Sequence, residues 1–206
     1  MGKSKSWRHE IDFQCRFGLW PFQKTLSISH KGFEWCGELI PLKDIERLRW
    51  GTELKRGGIM PKRVYAAAFG TKSREYEIKT RQKDFYEHLV ERYWKASGIR
   101  LLAKMLDGLG GGETYEFGKL RLSDCGIALR EKRLLGGVRT SFYEWKELAW
   151  GAVNGSLSFV SREKPDRLLF GLSFLWVDNT HVLYAALKLL EQSPDKTRLS
   201  KAAKFS

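Results

Sequence analysis

The chain is short of cysteine, histidine and proline, with three, four and five of them in 206 residues, and it has no long apolar run. Cys15, Cys36 and Cys125 form no Cys-x-x-Cys pair, so a disulfide framework is set aside and a reducing, cytoplasmic compartment is expected, with a membrane-peripheral position as the alternative. His9, His30, His88 and His181 fall on different predicted elements, and none stands at ligand spacing with a second His or a Cys. No metal site and no cofactor are expected. No apolar stretch approaches the roughly 20 residues that span a bilayer. The opening MGKSKSWRHE lacks the apolar core of a signal peptide; it fits the loose acylation pattern at Gly2, for which a frayed basic tail is the plain alternative. A Gly-x-Ser-x-Gly elbow is missing too, and the acid pairs Asp44 with Glu46 and Glu144 with Glu147 read as solvated charges near strand starts. A non-catalytic protein is expected.

What is present is basic charge and aromatic bulk. Lys and Arg number 37 against 24 acids, a formal net charge of +13. The excess sits in the first half: residues 1 to 106 carry 22 basic and 12 acidic side chains, the remainder 15 and 12. A field of that sign attracts nucleic acid, anionic lipid or an acidic protein. Hydrophobic residues at 42% and aromatics at 13% suffice for two modest cores, so the charge does not imply disorder. Trp35, Trp50, Trp145, Trp150 and Trp176 are expected in those cores, from alternation with their neighbours.

One stretch occurs twice, as Thr25 to Gly51 and as Lys119 to Gly151. Ser29 and Gly32 answer to Ser123 and Gly126 at an offset of 94, while Leu48, Trp50 and Gly51 answer to Leu148, Trp150 and Gly151 at 100. The six-residue difference predicts a longer hairpin in the second copy, near Lys132 to Gly137. A duplication of this length predicts two domains.

Around this stretch the period of the sequence alternates and then changes. Phe13, Cys15 and Phe17, then Leu26 and Ile28, alternate with polar residues as half-buried strands do, and short strands follow to Trp50, with a bulge expected between Ile45 and Leu48. TELKRGGIMPKR reads as a long polar loop before strands at 64 to 69 and 74 to 79. From Gln82 to Ala96 the apolar residues recur every three or four, predicting an amphipathic helix that Gly98 ends, with a second piece to Leu106. Asp107 to Glu113 is glycine-rich, but it follows a helix and precedes a strand, the reverse of a phosphate-cradling loop, so it reads as helix terminator and linker. Seven strands and a helix at Thr180 to Glu191, capped near Asn179, repeat the order. The expected domains are 9–106 and 114–192, joined by a linker at 107–113 and trailed by a basic flexible tail at 193–206.

The hairpins Leu26 with Gly32 and Leu120 with Gly126, the strands ending in Trp50-Gly51 and Trp150-Gly151, and the closing helices at 82–96 and 180–191 resemble the pleckstrin-homology-like superfold, including its bacterial and GRAM-type members. The resemblance implies a mainly β fold with α (α+β): two tandem small β-barrels or sandwiches, each capped by a C-terminal amphipathic helix. Many such domains bind inositol phospholipids through a Lys and a spaced Lys/Arg-x-Arg in the first hairpin, and others bind proteins. Here Arg130, Lys132, Arg133 and Arg139 are the nearest match, without the x-Arg spacing.

The stretch singled out for binding is Arg47 to Arg63. Arg47, Arg49, Lys55, Arg56, Lys62 and Arg63 outnumber its acids, Gly57-Gly58 lets backbone amides approach an anion, and Ile59-Met60 offers an apolar tip. With Arg130, Lys132 and Arg133 these form the predicted ligand-binding set; the plain alternative is a solvated loop. The expected partner is an acidic protein or a phosphate-bearing ligand; anionic lipid headgroups or nucleic acid are the alternatives.

Overall fold

The computed structural model describes residues 11–18, 23–55, 61–132 and 137–202. The chain is mainly β with helices, and it divides into two compact units, residues 1–100 and 101–206.

The first unit begins with a four-stranded antiparallel meander: β1 Phe13–Phe17, β2 Lys24–Ile28, β3 Gly32–Trp35 and β4 Glu38–Pro41. A 3-10 turn, Leu42–Asp44, replaces the expected bulge and leads to a three-stranded meander of β5 Arg47–Lys55, β6 Lys62–Gly70 and β7 Glu75–Thr80. Both ends of the predicted polar loop are therefore strand. Thr52 to Lys55 and Lys62 to Arg63 extend the β5–β6 ladder, ending with Lys55 opposite Lys62, and the tip at 56–60 lies outside the described residues. Backbone pairing outweighs the weak strand preference of Glu and Lys here.

Aromatic rings join the two sheets. Phe33 of β3 lies 4.6 Å from Phe69 of β6, edge to face, and 5.2 Å from Tyr93 of the following helix. Phe69 in turn stacks on Tyr76 at 4.9 Å. Trp35 and Trp50 border this core, half-buried and buried respectively.

Helix α1 (Lys83–Tyr93) passes through a π turn at Trp94–Gly98 into α2 (Ile99–Gly110), so Gly98 does not end it. A Cβ on Gly98 would fall 2.3 Å from the Trp94 ring, so the glycine makes room for the indole. Asp107 to Gly110, predicted as linker, form the last turn of α2. It closes with Gly112 at φ +87, Gly112 N–H donating to the Leu109 carbonyl and Glu113 N–H to the Gly108 carbonyl, a Schellman-type end.

The second unit repeats the plan. β8 Tyr115–Phe117, β9 Leu120–Ser123, β10 Gly126–Lys132 and β11 Val138–Glu144 form one meander. After a 3-10 turn at Trp145–Glu147, β12 Leu148–Val153, β13 Ser156–Ser161 and β14 Leu168–Ser173 form the other, and helix α3 (Thr180–Gln192) follows. Leu183, Ala186, Leu187 and Leu190 of α3 are fully buried with Leu148 and Phe159. Trp176 is 63% exposed, against the expectation of core: it lies past the end of β14, where strand alternation no longer applies.

The duplicated glycines have one physical cause. Gly32 pairs with Pro41 and Gly126 with Glu144, and an added Cβ would lie 2.2 Å from the Ile40 carbonyl oxygen or 2.1 Å from that of Tyr143. Only glycine tolerates that approach. Gly32 and Gly126 are 94 apart, but Pro41 and Glu144 are 103 apart, so the second hairpin is longer by nine residues rather than six. The first copy has three more residues between its 3-10 turn and Trp50 than the second has before Trp150, which returns the offset to 100.

Of the predicted flexible tail, 193–206, the last four residues lie outside the described residues, and the rest is not loose. Residues 193–202 are ordered by side chains, and a short helix α4 (Leu199–Ala202) buries Leu199 and Ala202. Ser200 donates its backbone N–H and its hydroxyl to the Asp124 carboxylate at 2.8 and 2.9 Å, and Leu199 N–H donates to the Asp124 carbonyl at 3.0 Å. Asp124 therefore caps α4 from the β9–β10 turn.

Candidate functional site

A cleft of about 630 Å³ opens in the first unit where the end of β1, the outer ends of β5 and β6, and the β7–α1 junction meet. Its apolar part is Phe17, Val64 and Phe85; its charged part is Arg16, Lys55, Lys79 and Arg81, and no carboxylate lines it among the described residues. Lys79 pairs with Glu77 at 2.8 Å, while Arg16, Lys55 and Arg81 have no ion-pair partner among the described residues. Gln82, the residue before α1, also lines the cleft, and its N–H is held by the Thr80 hydroxyl at 3.1 Å. The first turn of α1 has no side-chain cap and carries Asp84, whose charge offsets the positive end of the helix.

Strand register places the cations. Lys55, Lys62 and Val64 share one face of the β5–β6 ladder, because directly opposed residues and residues two apart point the same way. Arg63 and Leu54 share the other face.

The nine predicted residues are thus dispersed. Lys55 lines the cleft, and Lys62 and Arg63 are exposed beside it. Arg47 donates to the backbone carbonyls of Thr71 and Arg74, both at 2.9 Å, and so ties down the β6–β7 turn. Arg49 forms a two-pronged ion pair with Glu75 (2.5 and 3.2 Å), its side chain only 12% exposed. Arg130, in the other unit, stands 3.7 Å from Glu116. Arg56 and Arg133 lie outside the described residues, as does the side chain of Lys132. The sequence reading missed Arg16, Lys79 and Arg81. The only sequence signal for them was their position beside breaks: Gly18 after Arg16, and the change of period after Lys79.

No protein-family model, curated protein or solved structure matches the chain. The chemistry of the cleft therefore rests on its own residues.

Three uncommitted cations beside an apolar wall can hold a phosphate or carboxylate group, but they supply no general base. The nearest thiol in sequence, Cys15, is half-buried, and burial pushes it up to about 11 despite a hydrogen bond involving the Leu26 backbone. It is protonated at neutral pH and a poor nucleophile there. Among the described residues no three His, Cys, Asp or Glu side chains cluster to hold a metal ion, and no helix is long and apolar enough to cross a membrane.

Proposed function

We propose that the chain is a non-catalytic binding protein of two pleckstrin-homology-like modules, the first of which recognises an acidic protein or a phosphate-bearing ligand through its basic cleft. Two units that each run four strands, three strands and a helix support the family reading. The observation that carries the binding role is the lining itself: among the described residues it holds four cations, three of them without an ion-pair partner, and no acid. Such a group breaks no ion pair on meeting an anion and gains charge-assisted hydrogen bonds.

Titration calorimetry of the full chain with inorganic tripolyphosphate and with an oligo-glutamate peptide tests this. Arg16→Ala/Lys55→Ala/Arg81→Ala should weaken whichever probe binds at least tenfold, and Arg130→Ala should leave it unchanged. Equal affinity of wild type and triple variant would reject the role.

A peripheral-membrane reading is favoured by one further observation. Leu54 is 64% exposed beside Lys55 and opposite Arg63, an apolar residue set among cations. Salt-sensitive sedimentation with anionic but not neutral vesicles, lost in Leu54→Ser, would select it; retention on neither vesicle rejects it.

A further inference from the structure

The second unit has a cleft of its own, of about 440 Å³, where the Trp145–Glu147 turn and β12 meet the end of α3. Its floor is aromatic and fixed. Trp145 is 2% exposed and its indole N–H donates to the Asp124 carbonyl at 2.8 Å; Trp150 meets it edge to face at 5.9 Å. The charged groups on its rim fall into two sets. Lys146 is engaged by Glu144 at 2.7 Å and Glu191 by Lys188 at 2.8 Å, whereas Arg162 and Lys196 have no carboxylate partner among the described residues.

We propose that this cleft binds a small amphipathic anion, an aromatic carboxylate, with its ring against Trp150 and its carboxylate between Arg162 and Lys196. A bare phosphate would leave the half-buried Trp150 indole wet, and a neutral aromatic would leave two cations unanswered. The volume lies in the range of small-ligand sites, roughly 300 to 1,000 Å³. A charged head on a flat apolar body satisfies both halves of the lining.

Lys196 reaches the rim only because the chain after α3 folds back. The Asp124 carboxylate fixes Ser200 at 2.8 and 2.9 Å, and Lys201 pairs with Asp195 at 3.0 Å, so the segment that presents Lys196 is closed on itself and anchored at its far end. Asp124 is a positioning residue for this cleft. The proposal is independent of the first unit's role, since none of its residues lies there.

The test is calorimetry on the full chain with 2-naphthylacetate and its neutral analogue 2-naphthylacetamide. Wild type is expected to bind the carboxylate at least tenfold more tightly than the amide, with affinity falling as salt is raised. Arg162→Gln/Lys196→Gln, two exposed changes, should bring the two probes within twofold of each other. Asp124→Ala, confirmed folded by circular dichroism, should weaken the carboxylate several-fold and leave the amide unchanged. Equal affinity of wild type for both probes, no binding of either at millimolar concentration, or an undiminished preference in Arg162→Gln/Lys196→Gln would overturn the proposal.

Discussion

Lys55 and Lys62 stand directly opposite each other at the open end of the β5–β6 ladder, two like charges on one face of the sheet. Directly opposed like charges weaken a strand pair by a few tenths of a kcal/mol up to about 1, and an opposite-charge pair contributes a similar amount. Lys55→Glu should therefore raise stability in urea unfolding by about 0.2 to 1 kcal/mol. The same change should abolish binding of tripolyphosphate. A variant that is more stable and still binds would separate the charge pair from function.

Gly32→Ala and Gly126→Ala should each destabilise by about 2 kcal/mol or more, because a neighbouring backbone carbonyl occupies the place of the new Cβ in both hairpins. Gly151→Ala meets nothing within 4 Å and should cost under about 0.5 kcal/mol. Thermal unfolding of the three variants measures both effects. A neutral Gly126→Ala would contradict the shared cause of the duplicated glycines.

Acid should loosen the C-terminal segment. Hydrogen bonds from Thr197, and then Lys201, hold the Asp195 carboxyl at about 2, below its ordinary 3.8. A depressed carboxylate stabilises the fold above its unfolded value, and that contribution is lost as pH falls through the folded one. Hydrogen-exchange protection of 195–202, corrected for intrinsic rates, should thus decline between about pH 4 and pH 2. Asp195→Asn should remove this step.

The three thiols should react in a fixed order. Cys36 and Cys125 are exposed and free, in two hairpin turns, whereas Cys15 is half-buried with its thiol raised to about 11. Iodoacetamide at pH 8 should label the first two rapidly and Cys15 at least tenfold more slowly. Intact-mass kinetics would show this as a plateau at two adducts.

The architecture was legible where burial imposes a period. Phe13 to Phe17 alternate on a half-buried strand, and the paired hairpin glycines announced the duplication. The strand at Thr52 to Lys55 was not legible, because its polar residues have no apolar alternation to betray them. Gly98 misled for a related reason: a glycine needed for the Trp94 ring looks in sequence like one that ends a helix. The ordering of the tail depends on Asp124, 76 residues from Ser200, and no local pattern encodes that contact. Of the lining of the basic cleft, Lys55 had been singled out from charge density. Arg16 and Arg81 reach the same cleft only through the packing of β1 near the β7–α1 junction, and Arg49 left the predicted set because Glu75 lies across the sheet.

The most direct test of the basic cleft is the position of its ligand. Tripolyphosphate added to the ¹⁵N-labelled chain should shift the amides of Arg16 to Gly18 and Thr80 to Phe85, and leave the second unit's amides in place. Shifts scattered over the lysines of both units, or confined to the second, would contradict a built anion site in the first.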